Sequence, residues 1–347
     1  MQFGIWTPLP HTIRPEPGMT HAVERLRSGD VPVGERDPAF TFACDIIRRA
    51  DALGFDITLV AQRYLGPDLE AFTLASALAM VTSRIELMVA VHPGMASPQI
   101  VAKMAASLDR ISGGRAALNV VNGWWEEEFK LFSNGNWIGA PEQRYARMRE
   151  FIQVMKGLWT NPDLRAEGKH YRAYVQDALK GSKGKVDAAE TGEIVARTIR
   201  GSLPIYAASS APQGRQTIAA HGDVWFADCQ PGHRNFEANL ARLQSDLREM
   251  DGLAASFGRT LRYAINPQVI CCESQAQAEA LADVIEAPTG GRVSNALGAG
   301  LVGTPELIAQ RLRRLEEIGI ACVMLRFSPM MEGVETFGTQ VIPLMRK

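Results

Sequence analysis

Residues 107–125 read SLDRISGGRAALNVVNGWW, and this segment decides the fold. It begins as the end of an amphipathic helix, turns at Gly113-Gly114 and continues as a short apolar strand over 116–121. Strands of a parallel sheet are buried on both faces, so such a strand is expected to be almost uniformly hydrophobic. Asn119 interrupts it, and an unpaired buried amide costs about 1–3 kcal/mol. The carboxyl end of a strand is the active-site side of an α/β barrel, so a ligand is the expected partner.

The same order of strand and helix repeats along the chain. Apolar positions with helical spacing follow most of the strand-like segments, and this alternation favours parallel pairing. Eight units favour a closed (β/α)8 TIM barrel, of class α/β, over an open doubly wound sheet. No GxGxxG follows the first strand, which weakens a dinucleotide-binding interpretation. The predicted strands are 2–6, 58–61, 85–91, 116–121, 204–208, 224–227, 261–272 and 321–327.

We predict a single domain over 1–347 with three insertions on the active-site side. The segment 9–36 is long, polar and rich in Pro, Gly and Arg, and loops of this length usually serve as lids or binding loops. Residues 161–200 are polar without clean periodicity, and residues 286–300 include a Gly-rich run. These three segments are the predicted insertions.

Composition excludes several classes of function. The chain has 347 residues and a net charge of −1, with no basic block, so neither nucleic acid nor a membrane is an expected partner. It has no apolar run of membrane-spanning length and no signal-peptide pattern, so a cytoplasmic location is expected. The five cysteines form no CxxC pair and the six histidines are scattered, which predicts buried reduced thiols and no metal site.

The ends of the predicted strands supply the candidate site residues. They are amides, hydroxyls, arginines and aromatics, which bind a planar polar ligand and its phosphate but do not form a nucleophile–base pair. A set rich in binding groups and poor in catalytic groups suggests that a cofactor performs the reaction. The candidates are Gln62, Arg63, His92, Asn119, Trp124, Ser209, Ser210, Asn266, Gln268, Arg326 and Phe327.

Each of these residue types also has an ordinary structural interpretation. An amide such as Asn119 could be a satisfied core group, and His92 could be a structural histidine. Arg63 could form a surface ion pair, and Ser209 with Ser210 could only cap a helix. The tryptophans could be loop packing, and residues 126–128 could be a solvated acidic face.

Three longer segments carry a resemblance to a known family. They are SRIELMVAVHPGMASPQIVAKMAASLDRISGGRAALNVVNGWWEEEF, QRYARMREFIQVMKGLW and MLRFSPMMEGVETFGTQVIPLM. They resemble the bacterial-luciferase-like flavin monooxygenases, and most closely the group acting on alkanesulfonates, dimethyl sulfone and pyrimidines. The resemblance implies a luciferase-like barrel that uses reduced FMN and O2, with a separate NAD(P)H:flavin reductase supplying the FMNH2. It also implies oxidation through a flavin-peroxide, and a homodimer or homotetramer.

The resemblance also implies roles for individual residues. It places Gln62 and Arg63 beside the flavin ring edge or phosphate, and Asn119 and Glu128 among the flavin contacts. Arg144 and Tyr145 would lie at the phosphate or the ribityl chain, and Ser209 and Ser210 at the phosphate. The residues around the reacting oxygen, grouped as catalytic, would be Leu59, Ala90, Asn119 and Trp124.

Substrate is where this chain departs from the relatives. Alkanesulfonate enzymes place an Arg and a His where this chain has Asn266 and Gln268, two neutral amides that match a full sulfonate charge poorly. Arg63, Arg292 and Arg326 could compensate. The hypothesis is therefore a monooxygenase for a small, polar, neutral or weakly acidic organosulfur compound, a sulfone or an alkanesulfonate. His92, Asn266, Gln268, Arg326 and Phe327 are its expected substrate contacts.

Other functions stay open. Oxidative ring opening of a pyrimidine-type nitrogen heterocycle uses the same chemistry, and the GxETFG tail resembles that group more closely. A deazaflavin-dependent dehydrogenase or a flavin-binding barrel without activity could share the same fold.

Overall fold

The structure is a computed structural model, and it describes residues 1–11, 31–181, 197–229, 236–286 and 297–346. Most of the predicted insertions at 9–36 and 286–300, and part of that at 161–200, lie outside these residues. Arg292 also lies outside them.

Eight parallel strands close into a barrel, as the sequence predicts. Numbered along the chain, consecutive strands are neighbours, and β1 closes the ring by pairing with both β2 and β8. The strands are β1 Gln2–Trp6, β2 Ile57–Val60, β3 Glu86–Val91, β4 Ala116–Val120, β5 Ile205–Ala208, β6 Val224–Phe226, β7 Arg262–Ile265 and β8 Ile320–Leu325. Their carboxyl ends share one rim of the barrel, where the candidate site residues were expected.

Helices follow the barrel strands. They are α1 Pro38–Leu53, α2 Ala71–Ala79, α3 Pro98–Ser112, α4 Glu126–Phe132, α5 Pro141–Thr160, α6 Val175–Gly181, α7 Pro212–His221, α8 Phe236–Ser256, α9 Gln275–Glu286, α10 Pro305–Glu317, α11 Met330–Thr336 and α12 Ile342–Met345. A π-helix, Phe337–Val341, joins the last two. No helix within the described ranges is both long and apolar enough to cross a membrane.

Local sequence explains where several helices begin. Asp37 accepts hydrogen bonds from the N–H groups of Ala39 and Phe40, and a proline occupies the first turn of α1. Ser97 caps α3 in the same way, through the N–H of Ile100. Such caps satisfy N–H groups that have no partner inside the helix, each typically worth about 1 kcal/mol.

The core has two layers separated by the barrel wall. One apolar cluster fills the barrel, with Leu59, Met88, Ala90, Ala117 and Met324 among its members. A second, larger cluster packs the helices onto the outside of the strands. Successive strand residues point to opposite faces, so the barrel strands are buried on both sides for most of their length and are largely apolar.

The seventh predicted strand, 261–272, is wrong in its length. The barrel strand β7 ends at Ile265, and Ile270–Cys271 instead pairs with Val302–Gly303 in a separate two-stranded sheet. Pro267 has no N–H to donate to a strand ladder, so β7 cannot continue through it. Beyond Ile265 the chain stays beside the end of β8 through a parallel bridge between Gln268 and Arg326, and Asn266 and Gln268 lie there at the rim.

Part of the segment 161–200 has regular structure that the sequence did not reveal. Arg165–Glu167 and Arg172–Tyr174 form an antiparallel hairpin. The carboxylate of Glu150 on α5 accepts hydrogen bonds from three successive N–H groups of the turn, those of residues 169–171. Gln99 in the first turn of α3 donates to the carbonyl of Arg172. Long-range contacts therefore hold the hairpin, which explains its weak periodicity.

Candidate active site

Leu59, Ala90 and Asn119 lie close together at the carboxyl ends of β2, β3 and β4. Leu59 and Ala90 belong to the cluster inside the barrel, and Ala90 pairs with Asn119 in register. Asn119 is 8% exposed, and its Oδ1 is buried with no hydrogen-bond partner. Buried polar atoms nearly always have partners, so this amide is available to a ligand. The Oδ1 of Asn122, three residues further on, has the same status.

Tyr145 on α5 and Ser209 after β5 are brought together by the fold. The Tyr145 hydroxyl lies 2.8 Å from Ser209 Oγ, and Ala211 N–H donates to the same Oγ at 3.1 Å. Trp225 fixes the Ser209 backbone by donating from Nε1 to its carbonyl at 3.1 Å. We call Tyr145, Ser209 and the first turn of α7 the cradle.

Space in the cradle depends on Gly214. A Cβ at this position would lie 2.0 Å from Ser209 Oγ and 2.6 Å from Tyr145 Cε1. No side chain caps α7, and Pro212 occupies its first turn, so backbone N–H groups there have no intrahelical partner. Ser210 is exposed beside them. Hydroxyls at a helix N-terminus form a good phosphate site, because the N–H groups and the helix dipole both favour an anion.

Arg144, the neighbour of Tyr145, is engaged with the loop before α5. It donates to the carbonyls of Ile138 and Gly139 at 2.9 and 3.0 Å, and its guanidinium carbon lies 4.8 Å from the centroid of the Trp137 ring. In this structure it shapes the loop. Its role at a flavin phosphate or ribityl chain stays a prediction.

Gln62 and Glu128 hold the loop after β2. Gln62 accepts the N–H of His92 at 3.0 Å and donates to the Tyr64 hydroxyl at 2.9 Å. Glu128 is 4% exposed and accepts the N–H groups of Tyr64 and Leu65 at 2.6 and 3.1 Å. Glu128 is therefore a buried structural carboxylate here, not part of a solvated acidic face. Flavin contact by either residue stays a prediction.

Arg63 stacks with two tryptophans. Its guanidinium carbon lies 5.4 Å from the ring of Trp124 and 5.1 Å from that of Trp125, and the two rings are themselves stacked at 5.8 Å. Trp124 is 67% exposed, unlike Leu59, Ala90 and Asn119, so its place beside the reacting oxygen stays a prediction. Arg63 follows β2 and Ser209 follows β5, so strands β3 and β4 lie between them in the barrel wall.

His92 is buried at the end of β3, 7% exposed, and its Nδ1 has no hydrogen-bond partner. Burial lowers the pKa of His92 from 6.5 to about 4, the nearby Glu128 opposing and Arg63 reinforcing the shift. The imidazole is therefore neutral at physiological pH, and it cannot act as a general acid there.

The buried histidine predicts a pH dependence of stability. Between pH 6.5 and pH 4 the unfolded chain binds a proton at His92 that the folded chain does not, so the free energy of unfolding falls as pH falls. This shift corresponds to roughly 3 kcal/mol over that interval. In urea titrations at a series of pH values, His92→Gln should reduce the slope between pH 4 and pH 6.5. An unchanged slope in a folded variant would contradict the assignment.

Trp6, Asn266 and Arg326 form a cluster at the ends of β1, β7 and β8. Trp6 was not among the predicted site residues. Trp6 donates from Nε1 to Asn266 Oδ1 at 2.7 Å, and the guanidinium carbon of Arg326 lies 4.1 Å from the Trp6 ring centroid. Gln268 is 6% exposed and bridges to Arg326 through the backbone. Alternation along β1 places Trp6 inside the barrel, a signal that sequence reasoning could have used.

Phe327 does not fit its expected role in substrate binding. It is 7% exposed and packs against Phe55 and Phe337, with ring centroids 6.2 and 5.7 Å away. These contacts belong to the core between strands and helices. The residue follows Arg326, and adjacent strand positions face opposite sides, so Phe327 points outward.

The described residues contain no group of three His, Cys, Asp or Glu side chains that could hold a metal ion. Their site-forming groups are amides, hydroxyls, arginines and aromatics, gathered at one rim of the barrel.

A family model described as luciferase-like monooxygenase matches residues 1–322. This chain belongs to that family. The match and the closed barrel together confirm the family and the fold class that the sequence predicts.

Several relatives resemble this luciferase-like monooxygenase over almost its whole length. It is 27% identical to the FMNH2-dependent dimethylsulfone monooxygenase of Pseudomonas putida, covering 92% of this chain and 93% of that one. It is 28% identical to the pyrimidine monooxygenase RutA of Acinetobacter baylyi, covering 89% and 88%. Among solved structures, the EDTA monooxygenase of Chelativorans sp. BNC1 shares the fold with a TM-score of 0.72 at 18% identity, covering 100% and 93%.

Proposed function

We propose that this luciferase-like monooxygenase binds reduced FMN, delivered by a separate NAD(P)H:flavin reductase. With O2, it would oxidise a small polar organosulfur compound, a sulfone or an alkanesulfonate. The observation that carries the proposal is the cradle, in which Tyr145 and Ser209 meet over the uncapped first turn of α7. The relative named as an FMNH2-dependent dimethylsulfone monooxygenase supports the cofactor and the substrate class.

The residues present fit FMN. The cradle offers two hydroxyls and backbone N–H groups to a phosphate, and Gly214 keeps the space beside them open. Asn119 presents a buried Oδ1 without a partner, suited to an N–H group at the edge of the flavin ring. Reduced FMN supplies the electrons that activate O2, chemistry that no side chain in this set could perform.

The protein residues then have three tasks. Tyr145 and Ser209 anchor the phosphate, and so fix the flavin relative to the barrel. Asn119 orients the ring. Leu59 and Ala90, which are 2% and 4% exposed, keep water away from the reacting edge of the flavin. They thereby limit the loss of hydrogen peroxide without oxidation of the substrate.

Oxidative opening of a pyrimidine-type ring is the second candidate. The observation that favours it is the relative named as a pyrimidine monooxygenase, whose identity to this chain is 28%, against 27% for the sulfone relative. Both candidates use the same cradle and the same Asn119. They differ in the groups that face the substrate.

A turnover screen with an added flavin reductase, FMN and NADH tests the proposal. Consumption of dimethyl sulfone or methanesulfonate above the rate of the reductase alone is the expected result, and consumption of uracil instead would select the second candidate. Stopped-flow mixing of the FMNH2-loaded protein with O2 follows the flavin directly. Tight binding of a deazaflavin, with no oxygen-dependent turnover of any of these compounds, would overturn both in favour of a dehydrogenase.

A further inference from the structure

A cavity of about 370 Å³ lies beside the loop that follows β3. Its wall comes from three parts of the chain: residues 94–97 before α3, residues from 132–136 at the end of α4, and Tyr171 in the turn of the hairpin. We call it the β3 cavity. The polar residues in its wall are Ser97, Ser133, Asn134, Asn136 and Tyr171.

Arg147 on α5 lies directly behind the wall of the β3 cavity. It is 2% exposed, and its Nη1 donates to the carbonyl of Asn136 at 3.0 Å. A Cβ on Gly94 would lie 2.4 Å from the guanidinium carbon of Arg147, so only a glycine leaves room for the guanidinium under this loop. Gly94 and Asn136 both line the cavity, and the guanidinium therefore touches its wall from the protein side.

Most of this buried guanidinium has no partner. The Nε and Nη2 atoms of Arg147 are buried without a hydrogen bond, and the ring of Phe129, 5.5 Å from the guanidinium carbon, faces the charge instead. Within the described parts of the chain, no carboxylate pairs with it. Burial lowers the pKa of Arg147, with Tyr171 opposing and Arg144 reinforcing the shift, but an arginine stays protonated in a protein. An unpaired buried charge costs several kcal/mol, so a bound anion is the expected counter-charge.

Tyr171 brings a second unpaired donor to the same place. Its hydroxyl is buried without a hydrogen-bond partner. Its ring packs edge-on against Phe151, one turn after Arg147 on α5, with centroids 5.7 Å apart. Burial raises the pKa of Tyr171 to about 12, with the charge of Arg147 opposing the shift. The phenol therefore keeps its proton at physiological pH and can donate it to a hydrogen bond with an anion.

The β3 cavity is separate from the cradle. Tyr145 and Arg147 are two positions apart on α5, about 200° around the helix axis, so their side chains leave it on different sides. The cavity lies beside the loop after β3, whereas Ser209 follows β5, and β4 lies between these strands. An anion in the β3 cavity is therefore a different ligand from a phosphate in the cradle.

We propose that the β3 cavity is a second binding site, for a small molecule that carries a carboxylate or phosphate group. The oxyanion accepts hydrogen bonds from Arg147 and Tyr171 and neutralises the buried guanidinium, whose planar donors match such groups. Because both donors are buried, the oxyanion reaches them through a local shift of the wall. The side-chain bond that joins its two loops there, from Asn136 Nδ2 to the carbonyl of Gly94, is long at 3.3 Å.

Calorimetric titration of the protein saturated with oxidised FMN tests the proposal, because the flavin then fills the cradle. Inorganic phosphate, acetate or both should bind, which identifies the group that the site prefers, and neutral acetamide should not. Arg147→Met should weaken the anion about 10- to 100-fold, since a hydrogen bond to a charged group is lost. Tyr171→Phe should weaken it about 2- to 10-fold. Both variants should change the dissociation constant of FMN by less than about 2-fold.

Urea unfolding separates binding from structure. The bound anion should raise the free energy of unfolding of the unmodified protein and leave that of Arg147→Met unchanged, because a ligand stabilises only the state that binds it. Arg149→Gln, which changes an exposed arginine on the same helix, is the matched control and should keep the full response to the anion. Arg147→Lys keeps the charge and should keep part of the affinity.

Two results would overturn the proposal. One is equal anion affinity in folded Arg147→Met and in the unmodified protein. The other is a lack of phosphate and acetate binding once FMN is present, since an anion that FMN displaces occupies the cradle. The proposal does not depend on the proposed function: if the protein bound no FMN, the same titrations without flavin would still compare Arg147→Met with Arg149→Gln.

Discussion

Asn119→Leu should reduce substrate oxidation by about 100-fold or more, while the protein loses no more than about 1 kcal/mol of stability. The amide is 8% exposed and its Oδ1 has no partner in the protein, so removing it breaks no internal hydrogen bond at that atom. If the oxygen orients the flavin ring, the variant loses that contact. Coupled turnover assays and urea unfolding measure the two effects separately.

Asn239 provides the matched control. It is also 8% exposed, but its Nδ2 donates to the carbonyl of Gly298. Asn239→Leu should therefore lose about 1–3 kcal/mol of stability, because it leaves a buried carbonyl unpaired, while the turnover per folded molecule is kept. Unchanged turnover in Asn119→Leu would remove Asn119 from the site. A large loss of stability there would show that its amide is a structural group.

Gly214→Ala should weaken FMN binding by about 100-fold, the second large effect that we expect. The new Cβ would lie 2.0 Å from Ser209 Oγ and 2.5 Å from its Cβ, closer than atoms can pack. Ser209 and Tyr145 would have to move apart, and the phosphate would lose its aligned donors, each charged hydrogen bond being worth about 1.5–3 kcal/mol. Quenching of flavin fluorescence gives the dissociation constant.

Gly252→Ala on α8 is the control for this substitution. Gly252 is exposed, and a Cβ there would meet nothing within 4 Å. The change should raise the free energy of unfolding by about 0.5–1 kcal/mol, as expected for alanine in place of glycine in a helix interior. It should leave the dissociation constant of FMN unchanged. Equal FMN affinity in Gly214→Ala and the unmodified protein would show that the phosphate binds elsewhere.

Much of the architecture could be predicted because periodicity is a local property. The barrel strands need apolar residues on both faces, and caps such as Asp37 and Ser97 mark helix starts independently of the rest of the fold. The prediction failed where a local signal was misleading. The apolar run at 261–272 looks like one strand, but Pro267 interrupts the ladder and the second half pairs elsewhere.

Only part of the candidate site could be predicted from the sequence. Strand ends pointed to Asn119, Ser209 and Arg326, because the carboxyl ends of barrel strands form the active-site side of the fold. Strand alternation, applied strictly, would have removed Phe327 and added Trp6. Gly214 could not be recognised, since its importance lies in the distance to side chains that arrive from α5 and from the end of β5.

The order of strands and helices, and hence the α/β barrel with its polar rim, follows from the sequence, because burial dictates the apolar pattern one segment at a time. The tertiary structure alone decided which rim residues meet: Tyr145 with Ser209, and Trp6 with Asn266 and Arg326. These partners are 64 and more than 250 residues apart. Only closure of the barrel brings these side chains into contact, and no short stretch of sequence specifies such a contact.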